Sequence, residues 1–157
     1  MKDRVTSLTV DLREVRVADP FWSEKMETVR QKMLPYQWDA LNDRIPGAEP
    51  SHCMENFRIA AGLEEGEFQG RVFQDSDLAK WIEAVGYSLI SHPDPELERT
   101  ADEAIDLVVS AQQPDGYLDT YYIITGLEKR FTNLMSNHEL YCAGHLIEGS
   151  LAYYQGT

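Results

Sequence analysis

The stretch Asp75-Ser76-Asp77-Leu78-Ala79-Lys80-Trp81-Ile82-Glu83-Ala84-Val85-Gly86-Tyr87-Ser88-Leu89, followed by Ser91-His92-Pro93-Asp94-Pro95-Glu96-Leu97, decides the fold. Leu78, Trp81, Ile82, Val85 and Leu89 recur at helical spacing behind an acidic start, with Asp75 or Ser76 as the expected cap. Ser91-His92-Pro93 ends that helix. Asp94 and Pro95 open another at once, with Leu97, Ala101, Ile105 and Val108 on its apolar side, stopping before Pro114. So short a link forces an antiparallel pair, and a helical hairpin is the building unit.

Working outward, the same period holds. Upstream, Asp19 and Pro20 open a helix with Trp22, Met26, Val29 and Met33 on one face, which Pro35 is expected to interrupt or kink. A short helix from about Ser51 carries Met54, Phe57 and Ala61 and stops at Gly62. Downstream, Ser136 to Glu139 has the spacing of a capping box, ahead of a helix through Leu140, Ala143, Ile147 and Tyr154. Ile82-Glu83-Ala84 and Ile147-Glu148-Gly149 repeat at an offset of 65 residues, as stacked hairpins would. Leu8, Val10, Leu12, Val15 and Val17 alternate instead, which predicts a β segment in residues 1–18 ahead of a helical unit in 19–157.

The balance of 14 basic against 27 acidic residues leaves a net charge of −13, which disfavours nucleic acid and anionic membranes as partners. No apolar run is long enough to span a bilayer. Met1-Lys2-Asp3-Arg4 leads into no secretory apolar region, so the expected location is cytoplasmic, with Cys53 and Cys142 reduced.

In such an array the amino ends of the helices from Asp75 and from Ser136 point the same way, and the connections 63–74 and 113–137 lie at that end. One face then gathers Gln74, Asp75, Asp77, Asp119, Tyr121, Tyr122, His138 and Glu139. Free N–H groups at helix amino ends, with carboxylate, amide and phenol side chains and few basic clamps, suit a sugar better than a phosphate. Plain capping accounts equally for Asp75, Asp77 and Glu139. His138 gains nothing from the helix dipole when charged, so a neutral, ligand-facing ring is the alternative to a packed one. Cys142 and His145 with His52 and Cys53 can be drawn as a zinc site, but adjacent residues diverge on a helix and no paired metal motif is present. Small buried thiols are the better reading. No nucleotide-binding or serine-hydrolase motif occurs.

Six ordered segments make a larger pattern: Asp19-Pro20-Phe21-Trp22; Leu34-Pro35-Tyr36-Gln37-Trp38 with Asn42-Asp43; Asn56-Phe57-Arg58-Ile59-Ala60-Ala61-Gly62; Phe73-Gln74-Asp75-Ser76-Asp77-Leu78 with Lys80-Trp81-Ile82-Glu83-Ala84; Gln113-Pro114-Asp115-Gly116-Tyr117-Leu118-Asp119-Thr120; and His138-Glu139-Leu140-Tyr141 with Gly144-His145. Together they resemble the amino-terminal part of glycoside hydrolase family 127, the β-L-arabinofuranosidases. The resemblance implies an all-α fold, an incomplete (α/α)6 barrel of about five helices. It also implies release of L-arabinofuranose from the non-reducing ends of plant glycans.

Family members use a cysteine nucleophile held by zinc with a Glu and further cysteines, and a separate Glu as acid/base. Those motifs have no match here, so no catalytic residue and no metal ligand is carried over, and the chain alone is expected to be inactive. Zinc is expected only in the full-length enzyme. His138 matches the family's substrate-binding histidine, and Gln74 and Asp75 match positions near the same face. The partners so implied are an arabinofuranose-containing oligosaccharide and the remaining, carboxy-terminal part of the protein, with uncovered apolar faces showing as aggregation or a homodimer. The competing reading is a non-catalytic helical-hairpin module that binds sugar or a protein.

Overall fold

The computed structural model describes residues 9–157. α1 (Pro20–Thr28) and α2 (Leu34–Leu41) run into one another through a π-helical turn, Val29–Met33. α3 (Cys53–Ala60), α4 (Asp75–Ser91), α5 (Pro95–Ala111), α6 (Thr120–Thr125) and α7 (Glu139–Gly156) follow, so the described residues make six α-helical runs.

Several ends form as their sequences dictate. The Asp19 carboxylate accepts from Trp22 N at 3.0 Å with Pro20 in the first turn, and Asp94 accepts from Glu96 N and Leu97 N at 3.2 and 3.1 Å ahead of Pro95. Pro35 does not break its helix. It has no N–H to offer the preceding turn, and the π turn before it absorbs the mismatch, with Leu34 N donating to Val29 O.

Within residues 9–18 the expected amino-terminal β segment does not form, and among the described residues there is no strand; residues 1–8 of that segment lie outside the described residues. Leu8 is one of these, while Val10, Leu12, Val15 and Val17 are all exposed. A strand needs a partner to satisfy its backbone, and no described segment supplies one. The Asp11 carboxylate instead accepts from Arg13 N, folding Leu12–Glu14 into a 3-10 turn, and the Arg13 guanidinium donates to Gln155 O at 2.7 Å.

The core gathers around α4, whose Leu78, Trp81, Ile82, Val85 and Leu89 are all buried. Each contributes about 1.5–3 kcal/mol by leaving water. Trp81 stacks on Trp38 at 4.5 Å between ring centres, and its indole N–H donates to Leu34 O at 3.0 Å, tying α4 to the start of α2. Ala79 and Ile82 of α4 border the same groove as Ile105, Val108 and Gln112 of α5, so those helices are antiparallel, as the short link requires.

α7 lies against α4 in the parallel sense. A Cβ on Gly149 would come within 2.5 Å of Ala79 O, and one on Gly86 within 2.5 Å of the Ala152 backbone. The two backbones therefore meet through glycine, and this close contact fixes the register that brings the amino ends of α4 and α7 side by side.

Candidate functional site

At this shared end, three buried carboxylates anchor the connection 113–137. Asp75 is the first residue of α4, after Gln74 as cap, but its side chain does not serve its own helix. Its two oxygens accept from Thr120 N at 2.7 Å and Thr120 Oγ1 at 2.6 Å. Asp119 caps α6 by accepting from Tyr122 N at 3.1 Å, and its second oxygen is buried with no partner. Glu139 is buried at the first position of α7, where it accepts from Phe131 N at 2.9 and 3.0 Å and from Tyr117 Oη at 2.6 Å.

The capping box expected at Ser136 to Glu139 is accordingly not formed. Ser136 N donates to Asn133 Oδ1, and the Glu139 carboxylate is taken by the loop. Long-range demand outweighs local capping here because a buried carboxylate and the buried ends of a loop satisfy one another.

His138 precedes α7 as its cap residue, with φ of 58°, in the left-handed region that residues other than glycine, asparagine, aspartate and histidine rarely take. Its half-buried ring stands edge-on to Phe73 at 5.3 Å and to Tyr141 at 5.7 Å, between the entry to α4 and the first turn of α7. Gln74 is nearby in the chain, yet its amide is engaged elsewhere: Oε1 accepts from Arg71 N at 2.7 Å, and Nε2 donates to Ser51 Oγ at 3.3 Å. The structure thus brings His138 beside Phe73 and Tyr141. Asp75 lies behind that face, bonded to Thr120, and Gln74 closes the loop leading into α4.

One turn further along, Lys80 Nζ donates to Tyr141 Oη at 2.9 Å and to Ser76 Oγ at 3.1 Å, with Asp77 at 3.8 Å, and Tyr141 meets the His145 ring edge-on at 4.5 Å. Lys80 and Tyr141 were not singled out by the sequence, because 61 residues separate them and only the parallel register of α4 and α7 joins them.

Burial dominates the electrostatics. It pushes Asp75 up to about 6 despite the Thr120 hydrogen bonds, and Asp119 up to about 7 with Asp75's charge adding to the effect. Asp77 is also raised by burial, with Lys80 opposing. Burial alone would lower Lys80, but Tyr141 and Asp77 more than offset it.

Burial likewise raises both thiols, Cys53 well above its ordinary value and Cys142 to about 12, so neither is a thiolate at neutral pH. Cys53 Sγ donates to Gln74 O. The groups of metal-ligating type that do converge among the described residues are Asp43, His52 and Glu55, and Glu83, His145 and Glu148. Neither contains a cysteine, so the residues present do not fit the thiolate-rich zinc site of the resemblance.

Comparison with known proteins places this architecture. Residues 14–157 match the family described as Beta-L-arabinofuranosidase, GH127 catalytic domain. A non-reducing end beta-L-arabinofuranosidase of Bifidobacterium longum subsp. longum is 42% identical over 159 residues, covering 91% of this chain and 24% of its own length. The crystal structure of a GH127 beta-L-arabinofuranosidase from Geobacillus stearothermophilus T6 superposes with a TM-score of 0.90 at 61% identity, over 92% of this chain and 23% of that one. A GH127 beta-arabinofuranosidase structure gives 0.82 at 32% identity over 94% and 24% of the respective chains. The chain thus spans about a quarter of the length of these relatives, and the stretch they share is the helical array described above. With the match running through nearly all of its residues, the chain belongs to the GH127 β-L-arabinofuranosidase catalytic-domain family.

Proposed function

We propose that this chain forms part of a glycosidase that releases terminal L-arabinofuranosyl residues from plant-type glycans, and that it supplies one edge of the sugar site. The observation that carries this reading is His138. The ring stands at the cap of α7, framed by Phe73 and Tyr141, and the next residue, Glu139, is buried and ties Phe131 N and the Tyr117 hydroxyl to the same helix end. An aromatic-flanked imidazole at the joined amino ends of two helices offers a hydrogen-bonding group and an apolar wall, which is how sugars are recognised. Gln74 and Asp75 shape the same end. Asp75 acts on it through Thr120, and Gln74 through the loop 63–74.

Hydrolysis is not assigned to this chain. Cys53 and Cys142 are buried, protonated thiols, unlike the metal-held thiolate of the family's chemistry. In this reading zinc and the groups for cleavage belong to the remaining part of a full-length enzyme. The test is release of arabinose from an aryl β-L-arabinofuranoside by the purified 157-residue chain, with and without added zinc. No turnover is expected in either case, and zinc-dependent turnover would overturn this division of labour.

A further inference from the structure

We infer that the connection 113–137 is held onto the helix ends by a proton retained at Asp119, beside Asp75, and that it loosens when this proton leaves. The consequence for sugar binding rests on the function proposed above; the conformational claim does not.

Asp119 is only 1% exposed. One of its oxygens accepts from Tyr122 N, whereas Oδ2 has neither solvent nor a partner. A carboxylate there would leave charge on an oxygen without a donor, while a neutral acid places its own hydrogen on that atom. The backbone N–H groups of Tyr122 and Tyr121 favour the charged form, but burial and the neighbouring acids outweigh them. Asp75 faces Asp119 from α4, Glu139 and Cys142 from α7, Tyr117 from the preceding loop and Tyr122 from α6, while Asp77 adds its charge beside Asp75 and the neutral thiol of Cys53 of α3 lies against the same carboxyl. Lys80 is bonded to Ser76 and Tyr141 and paired with Asp77, and His145 of α7 also acts on Asp77.

Asp75 in turn carries both the N–H and the hydroxyl of Thr120, the residue next to Asp119. Two successive residues of the connection therefore hang on one pair of carboxyls. The upward shift of Asp119 to about 7 agrees with this geometry, whereas at Asp75 the two Thr120 donors favour the charged form and burial outweighs them to bring it to about 6.

The sign follows directly. Each group has a higher proton affinity closed than open, so closing takes up protons in the interval between the open and closed values. Closure is firmest in acid, weakens by up to tenfold per group for each pH unit through that interval, and levels off above about pH 7.

The test is hydrogen exchange of the wild-type chain at several pH values from 5 to 8, corrected for intrinsic rates and read at Thr120 and Tyr122 against Val85 in the core. Protection at Thr120 and Tyr122 should fall at least tenfold relative to Val85. In Asp119→Asn, which keeps an oxygen for Tyr122 N but cannot ionise, at least half of the fall in log protection should vanish. Thr120→Val removes one donor to ionised Asp75 and should move the midpoint to higher pH. Constant wild-type protection, an undiminished fall in Asp119→Asn, or a midpoint that stays put in Thr120→Val would each overturn the inference. No sugar enters this readout, so failure to bind arabinofuranosides would count against the functional proposal and leave this result standing.

Discussion

Gly144 and Gly149 lie five residues apart on α7, and replacing each with alanine should have opposite effects. Alanine is favoured over glycine within a helix by about 0.8–1.0 kcal/mol. At Gly144 a new Cβ meets nothing within 4 Å, so Gly144→Ala should stabilise by about that amount. At Gly149 the new Cβ would stand 2.5 Å from Ala79 O and 3.3 Å from Ala79 C, both backbone atoms of a buried helix. α7 can accept it only by moving off α4, and overpacking of this kind costs roughly 1–3 kcal/mol or more. Subtracting the propensity gain leaves Gly149→Ala destabilising by up to about 2 kcal/mol, so the two variants should differ by about 1–3 kcal/mol. Urea unfolding followed by tryptophan fluorescence, with a two-state fit, measures this directly because Trp38 and Trp81 stack at the α4 core. Equal stabilisation by both substitutions would refute the close glycine-mediated contact and, with it, the register that joins the two amino ends.

Three further outcomes follow from the same structure. His138→Gly should be more stable than His138→Ala by about 1 kcal/mol in the same urea assay, since both lose the ring but only alanine pays for a left-handed backbone; equal stabilities would place His138 in an ordinary conformation. Trp81→Phe should cost about 1–3 kcal/mol, because it leaves the Leu34 carbonyl without its donor in the core, and an unchanged denaturation midpoint would count against that bond. Leu140, Ile147, Leu151 and Tyr154 form an exposed apolar stripe on α7, so the isolated chain should self-associate in sedimentation experiments, and Ile147→Asp with Leu151→Asp should shift it toward monomer. A monomer at all concentrations would contradict that expectation.

The helices were legible where local chemistry decides them. Asp19-Pro20 and Asp94-Pro95 supply a cap and a fixed φ within a few residues, and the spacing of Leu78 to Leu89 reports the buried side of α4. Reading failed where a distant partner takes over a local role. Glu139 has the spacing of a capping box but is claimed by Phe131 and Tyr117, and Asp75 has the position of a cap but is claimed by Thr120. The alternation of Val10, Leu12, Val15 and Val17 promised a strand, but alternation shows only that a segment could pair, and no partner is present among the described residues. At the candidate site the sequence pointed to His138 through its motif. It could not show the left-handed backbone, the orphaned oxygen of Asp119 or the Lys80–Tyr141 bond, which all depend on how α4 and α7 align.

Whether the joined amino ends of α4 and α7 form a sugar-binding edge decides the proposed function. NMR titration of the 157-residue chain with a methyl β-L-arabinofuranoside, in wild type and in His138→Gly, tests this directly. Saturable shifts confined to His138, Phe73, Tyr141 and their neighbours are expected, and they should disappear in the variant while the rest of the spectrum is preserved. Shifts centred elsewhere, no shifts at saturating sugar, or unchanged binding in His138→Gly would contradict that function.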